Sequence, residues 1–215
     1  MTLPSGWEGY QHNFLGLEEP WCHPDPAGVY VLPAPCEHTS SYVLGCDRGP
    51  SAIIEASHQV EYYDEILRCE PFRGWGGIAT VTPLDPKGKV DHQAVEAIEA
   101  FVTPRVGTGQ FAVTLTGEHT DALGAIRAHA KRYPDLCVVQ IDAHGDLRPA
   151  YPNNTYSHAN MMALIVDDGL TLVPVGIRWI CVEEIERFNS CDRISTFFAG
   201  QLLDPSGPYE GKASR

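Results

Sequence analysis

Three side chains with metal-ligand chemistry stand at alternate positions in the segment IDAHGD: Asp142, His144 and Asp146. If the apolar run before them continues in extended form, the three project to one face and converge on one point. Two carboxylates and one imidazole are richer in anionic oxygen than a structural zinc site, and suit Mn²⁺ or a similar hard-to-borderline cation. A carboxylate can also bridge two ions. The same residue types at a strand end cap helices and satisfy loop amides, so spacing alone leaves a metal site and a polar loop both open.

A second cluster, TGEHT, holds Glu118 and His119. If its strand neighbours the first, His119 adds a nitrogen ligand to the same rim; otherwise it bonds within its loop near a helix start. The two clusters together are more specific than either.

Positioning these groups requires a repeating strand and helix pattern, and the chain has one. VYVLPAP (29–35) is a β-branched run ended by Pro, and SAIIEASHQVEYYDEIL (51–67) carries apolar residues at three- and four-residue steps, which predicts an amphipathic helix. DHQAVEAIEAFV predicts another helix with Asp91 as N-cap, and FAVTLTG (111–117) a buried strand. The alternation continues through DALGAIRAHAKRY, LCVVQID, HANMMALIVDD, LTLVPVGI and VEEIERFN. Strands separated by helices imply an α/β fold with a mainly parallel sheet, and continuous apolar strands such as CVVQI imply burial on both faces, Cys137 included. In such sheets function sits beyond the carboxyl ends of the strands, where both clusters fall. His58 and His129 fall on helices and are read as surface or core-edge residues. The expected organisation is an irregular lead-in over 1–28, one α/β domain over 29–203 and a Pro/Gly/Ser-rich tail over 204–215.

Composition sets the partners. The chain has 215 residues, 43% hydrophobic and 20% charged, which predicts a folded domain rather than a disordered one. A formal net charge of −13 at pH 7 repels phosphate backbones and anionic membranes and draws small cations toward an acidic cleft. Neither nucleic acid nor a membrane is expected as a partner. Seven scattered cysteines with no Cys-x-x-Cys pair, and no signal-like or spanning apolar segment, point to a reducing, cytoplasmic setting.

TGEHT, then IDAHGD, then YSHANMM, in this order, resembles the ureohydrolase family of arginases and agmatinases. The stretch LPAPCEHTSSYVLGCDRGPSAIIEAS and the later VEYYDEI resemble its agmatinase branch, and the likeness runs from about Val29 to about Leu203. The resemblance implies a three-layer α/β/α fold with two Mn²⁺ ions at the carboxyl end of a parallel sheet. It implies His119 and Asp146 on one ion, His144 on the other, Asp142 bridging, and His158 as a catalytic, substrate-facing histidine. It also implies attack of a metal-activated hydroxide on a guanidinium carbon, releasing urea and an amine, putrescine where the substrate is agmatine. Asn153 and Asn154, with Tyr151, would stand at the pocket mouth as candidate substrate contacts, although Pro-Asn-Asn is also ordinary turn chemistry. A homo-oligomer is implied for the complete family member. Arginine, guanidinobutyrate and formimidoylglutamate stay open as alternative substrates.

Two departures from the family pattern matter. Thr116 stands where the first motif begins with Gly, which leaves His119 in place. The third motif, Ser-x-Asp-x-Asp-x-x-Asp-Pro, which donates two further Asp ligands, does not occur after LVPVGIRWICVEEIERF, and Asp204-Pro205 lacks the paired Asp. The expectation is a C-terminally incomplete domain, with an inactive remnant or metal-binding module as the alternative to an active enzyme and an apolar sheet edge left uncovered.

Overall fold

The structure is a computed structural model that describes residues 3–149 and 154–204. It divides into two compact units, Met1–Arg132 and Tyr133–Arg215, each built on its own sheet.

The first unit contains β1 (Trp7–Glu8), β2 (Val29–Ala34), α1 (Gly49–Ser57), α2 (Pro71–Gly74), β3 (Ile78–Val81), α3 (His92–Val102), β4 (Phe111–Thr116) and α4 (Ala122–Arg132). Its strands lie in the order β1-β3-β2-β4, parallel except for β1, which pairs antiparallel with β3. The parallel arrangement follows from helical crossovers between strands. Leu32, Ala34, Val81, Ile98, Val102 and Ala128 form its core, where the apolar stripes of α3 and α4 meet the sheet. Most of the lead-in is irregular, but Trp7 packs edge-on against Tyr30, with ring centroids 4.8 Å apart, and places β1 on the sheet edge.

The second unit contains β5 (Cys137–Ile141), α5 (Met161–Asp167), β6 (Thr171–Ile177), α6 (Val182–Ser190), β7 (Phe197–Phe198) and α7 (Ala199–Leu203). Its sheet is parallel throughout, in the order β5-β6-β7. Met161, Met162, Ile165 and Val166 of α5 are buried together with Leu172 and Ile177 of β6. No helix among the described residues is long and apolar enough to cross a membrane.

Four sequence expectations are corrected. The helix predicted over 51–67 starts at Gly49 and stops at Ser57. Ser57 Oγ turns back onto the Ile54 carbonyl, and Asp64 Oδ1 accepts the amides of Ile66 and Leu67, so side chains compete for the backbone and end the helix. Asp91 does precede α3, but its backbone has φ 51° and its side chain caps no helix amide; its own N–H donates to His38 Nδ1 at 3.1 Å. The strand expected to be buried over 111–117 opens with Phe111 at 65% exposure. In β5, Gln140 faces inward while Cys137, Val139 and Ile141 are exposed, Ile141 at 87%. One face of β5 is thus uncovered among the described residues, the condition that makes an apolar strand sticky.

Candidate metal and substrate site

The first unit presents His119 at the carboxyl end of β4. Gly117 makes the turn there possible, because a Cβ at that position would collide with the Cys36 carbonyl oxygen. Glu118, 8% exposed, is held by three bonds: Oε1 accepts the amides of His38 (2.8 Å) and Thr39 (2.7 Å), and Oε2 accepts the Thr39 hydroxyl (2.7 Å). Its own amide donates to Asp121 Oδ2 at 3.3 Å, closing the short turn His119–Asp121 that starts α4.

Beneath that turn lies an ionic cluster. The His38 ring accepts the Asp91 amide at Nδ1, so Nε2 carries the proton and faces Asp121 Oδ1 at 3.3 Å and Glu118 Oε1 at 3.4 Å. These contacts are close enough for attraction without being aligned as hydrogen bonds. Burial works against a charged His38, but Asp121, Glu118 and Asp91 outweigh it and raise its pKa. Burial raises the Asp121 pKa, and the His38 contact opposes that rise. His38, Glu118 and Asp121 also have metal-ligand composition. Glu118 is already occupied by loop amides, so the trio acts as scaffolding that fixes the backbone on which His119 sits.

The second unit presents the DAHGD cluster, and its geometry differs from simple alternation. β5 ends at Ile141; Asp142 Oδ1 then accepts the His144 amide at 2.9 Å and lies 3.5 Å from His144 Nδ1. Asp146 takes φ 53°, a left-handed conformation that Asp tolerates better than most residues. Convergence is therefore produced by a turn rather than by an extended run. Carboxylate oxygens of Asp142 and Asp146 come within 4.8 Å of each other, a span one cation can bridge. Gln140 Nε2 holds the turn from inside, donating to the His144 carbonyl (3.0 Å) and to Asp146 Oδ2 (3.3 Å).

Two further elements lock this turn. The Asp146 carbonyl accepts the amides of Met162 and Ala163 at 3.0 and 3.2 Å, satisfying the N-terminal donors of α5. Glu184, 4% exposed in the first turn of α6, accepts the Leu147 amide at 2.8 Å and the Cys181 amide at 2.7 Å. Gly145 allows α6 this close: a Cβ there would stand 2.9 Å from the Phe188 ring and 3.0 Å from Glu184 Oε1.

An open cavity of about 480 Å³ covers the turn, lined among others by His144, Asp146, Arg148, His158, Trp179 and Glu184. His158 reaches it on a loop pinned by the buried Asn160, whose Oδ1 accepts the Ser157 amide (2.8 Å) and whose Nδ2 donates to the Thr155 carbonyl (2.7 Å). Trp179 lies beside His144 across a single parallel bridge, and its side chain is 68% exposed. Burial, with Glu183 and Glu184 beside it, pushes the Cys181 thiol up to about 11, which favours the thiol over the thiolate.

Of the residues singled out from sequence, His144, Asp146 and His158 line this cavity, and Asp142 anchors the turn. His119 belongs to the other unit. Asn154 Oδ1 accepts the Tyr156 amide at 2.8 Å, a turn contact, and Tyr151 and Asn153 lie outside the described residues. Sequence reasoning passed over Gln140, Trp179, Glu184 and His38. Only Glu184 carried a readable signal, as the third residue after Cys181 at a helix start, the spacing of a capping box.

A parallel α/β chain with carboxylate and histidine clusters at its strand ends matches one family model, that of the Arginase family, over residues 27–201, and the chain belongs to that family. Among curated relatives it is 37% identical over 212 residues to an N(1)-aminopropylagmatine ureohydrolase of Synechocystis, covering 95% of this chain and 67% of the relative. It is 33% identical over 147 residues to an agmatinase of Bacillus anthracis, covering 67% of this chain and 50% of the relative. Among solved structures, the agmatine ureohydrolase of Thermoplasma volcanium is 27% identical with a TM-score of 0.67, covering 81% of this chain and 58% of that one. An arginase from Medicago truncatula is 26% identical with a TM-score of 0.71, covering 82% and 58%. The chain thus spans about half to two-thirds of the length of these relatives.

Proposed function

We propose that this chain carries part of the two-manganese centre of an agmatinase-type ureohydrolase, with His119, Asp142, His144 and Asp146 as ligands and His158 as the catalytic histidine. The observation that carries the reading is the Asp142–Asp146 turn: two carboxylates within 4.8 Å, one of them buried, beside an exposed imidazole, under an open cavity. Oxygen and imidazole donors of this kind fit Mn²⁺ and give no preference to thiolate-seeking ions. When bound, the cations supply Lewis acidity and a water acidic enough to lose its proton near neutral pH.

The chain's own residues supply the rest. Trp179, bridged through its backbone to His144 and exposed in the cavity lining, offers an indole as a stacking surface for a planar guanidinium. His158 holds a proton at its ring nitrogen and delivers it to the amine nitrogen as the carbon–nitrogen bond breaks. Guanidinium plus water then gives urea and an ammonium, with atoms and charge balanced. Agmatine, yielding putrescine, and its aminopropyl derivative are the favoured substrates, in line with the agmatinase and N(1)-aminopropylagmatine ureohydrolase relatives. The acidic balance of the chain, −13, suits such cations and a cytoplasmic role in polyamine metabolism.

The sequence contains no paired-Asp third motif. We therefore propose that the 215 residues alone hold one Mn²⁺ weakly and turn over no substrate at an appreciable rate, because the second ion keeps only Asp142 and His144. The test is manganese content and urea release from agmatine by the purified chain. Tight uptake of two ions with turnover overturns the half-site; no uptake at all overturns the metal assignment.

A further inference from the structure

The first unit carries another open cavity, of about 460 Å³, lined by none of the proposed metal or catalytic residues. Its floor is apolar: Pro33, Pro35, Pro50, Pro83 and Ile54. The four prolines present no amide N–H, so this apolar surface itself donates no hydrogen bond. The cavity's polar lining holds two carboxylates, Glu8 and Glu55, beside the neutral groups of Gln11, His12 and Ser51, the last with its hydroxyl donated to the Arg48 carbonyl at 2.9 Å, and no Lys or Arg. His58, also in the lining, has its Nε2 engaged with the Asn13 carbonyl at 2.8 Å.

The fold explains this composition. Glu8 sits on the edge strand β1 opposite Thr80, while Pro50, Ile54, Glu55 and His58 share one face of the α1 segment. Pro35 and Pro83 lie just past the carboxyl ends of β2 and β3. Because Ala34 of β2 pairs with Thr116 of β4, this cavity opens on the same strand-end rim that carries His119. Two carboxylates over a proline floor give a bare divalent cation few donors and repel anions. They fit a flexible methylene chain with a positive charge toward each end.

We infer that this cavity binds a linear aliphatic oligoamine, its methylene segments against the prolines and Ile54 and its ammonium groups at Glu8 and Glu55. Such a chain has two sources, the distal tail of an extended guanidino substrate or a free oligoamine; only the first rests on the proposed function.

The test is calorimetric titration of the purified chain with spermidine in the absence of manganese. The expected result is one saturable site that Glu8→Gln and Glu55→Gln each weaken by about 5-fold or more, since losing one charged contact is worth roughly a kcal/mol. The control variants Glu186→Gln and Asp192→Asn, which remove equal charge from exposed positions of the other unit, should leave it within about 2-fold. No saturable site, or equal weakening by the controls, overturns the inference, since net charge alone would then account for the attraction. Matching thermal melts establish that the variants are folded. With manganese added, an aminopropyl-extended agmatine that binds more tightly than agmatine, and alone loses affinity in Glu8→Gln, identifies the substrate tail. Equal binding of both guanidines, unchanged by Glu8→Gln, identifies the free amine. Absence of manganese-dependent guanidine binding would count against the proposed function and leave the spermidine result standing.

Discussion

Replacing Glu184 by Ala removes the carboxylate that ties α6 to the DAHGD turn. Two amides lose their acceptor: Leu147 N–H, on a residue with no exposed surface, and Cys181 N–H, half-buried at the helix start. Water cannot easily replace the first, so leaving it unpaired costs about 1–3 kcal/mol. The second is a helix cap that water partly replaces, worth about 1 kcal/mol. The sum, about 2–4 kcal/mol, corresponds to a fall of roughly 4–16 °C in Tm for a chain of this size. Hydrogen exchange should localise the effect, with Leu147 protection falling by about 5- to 150-fold. Glu184→Gln keeps one acceptor oxygen and should fall between; Glu186→Ala, exposed on the same helix, should stay within about 0.5 kcal/mol of the parent. If Glu184→Ala melts with Glu186→Ala and Leu147 stays protected, the clamp does not hold the turn and the reasoning fails.

Gly117→Ala drives a Cβ into the Cys36 carbonyl oxygen, a backbone atom with little room to move, and should cost about 1–3 kcal/mol in denaturant unfolding; a neutral result would show that the β4 turn is looser than described. Trp179→Ala should weaken agmatine binding by about 5- to 30-fold, the worth of about 1–2 kcal/mol for a guanidinium on an indole, while leaving manganese uptake unchanged. Hydrogen bonds from the Cys46 thiol and the Gly45 amide hold the Glu37 carboxyl down at about 2. A depressed carboxyl pKa stabilises the folded loop fully above its ordinary value near 4.5 and loses that contribution progressively as pH falls from there to about 2, so Gly45 exchange protection should be constant above about pH 5 and decline steadily between about 4.5 and 2. In Glu37→Gln, which keeps one neutral acceptor oxygen, that protection should be lower than the parent's at neutral pH and show no decline over this range.

The elements with a clear period were legible: β2, β4, β5 and β6 as apolar runs, and α3 through α6 as three- and four-residue repeats. β3 was not, because IATV is only four residues long. The end of α1 was misplaced because Ser57 and Asp64 recruit the backbone with their own oxygens, an effect periodicity does not register. The exposed Val139 and Ile141 show a second limit, since an apolar pattern reports which side chains want cover and not what covers them. Ligand types were readable in DAHGD, while the turn that gathers them depends on Asp146 adopting a left-handed backbone, which no residue type announces. The His38 to Asp121 contact joins residues far apart in sequence, each unremarkable alone.

Direct manganese titration of the purified 215-residue chain, read by the loss of the free-ion paramagnetic resonance signal, measures whether the DAHGD turn and His119 hold a metal ion. Weak uptake of one Mn²⁺ per chain is expected, reduced by about 10-fold or more in Asp142→Asn, Asp146→Asn and His119→Ala, with Asn154→Ala unchanged. Absence of uptake, or uptake that survives all three ligand replacements, contradicts the metal assignment.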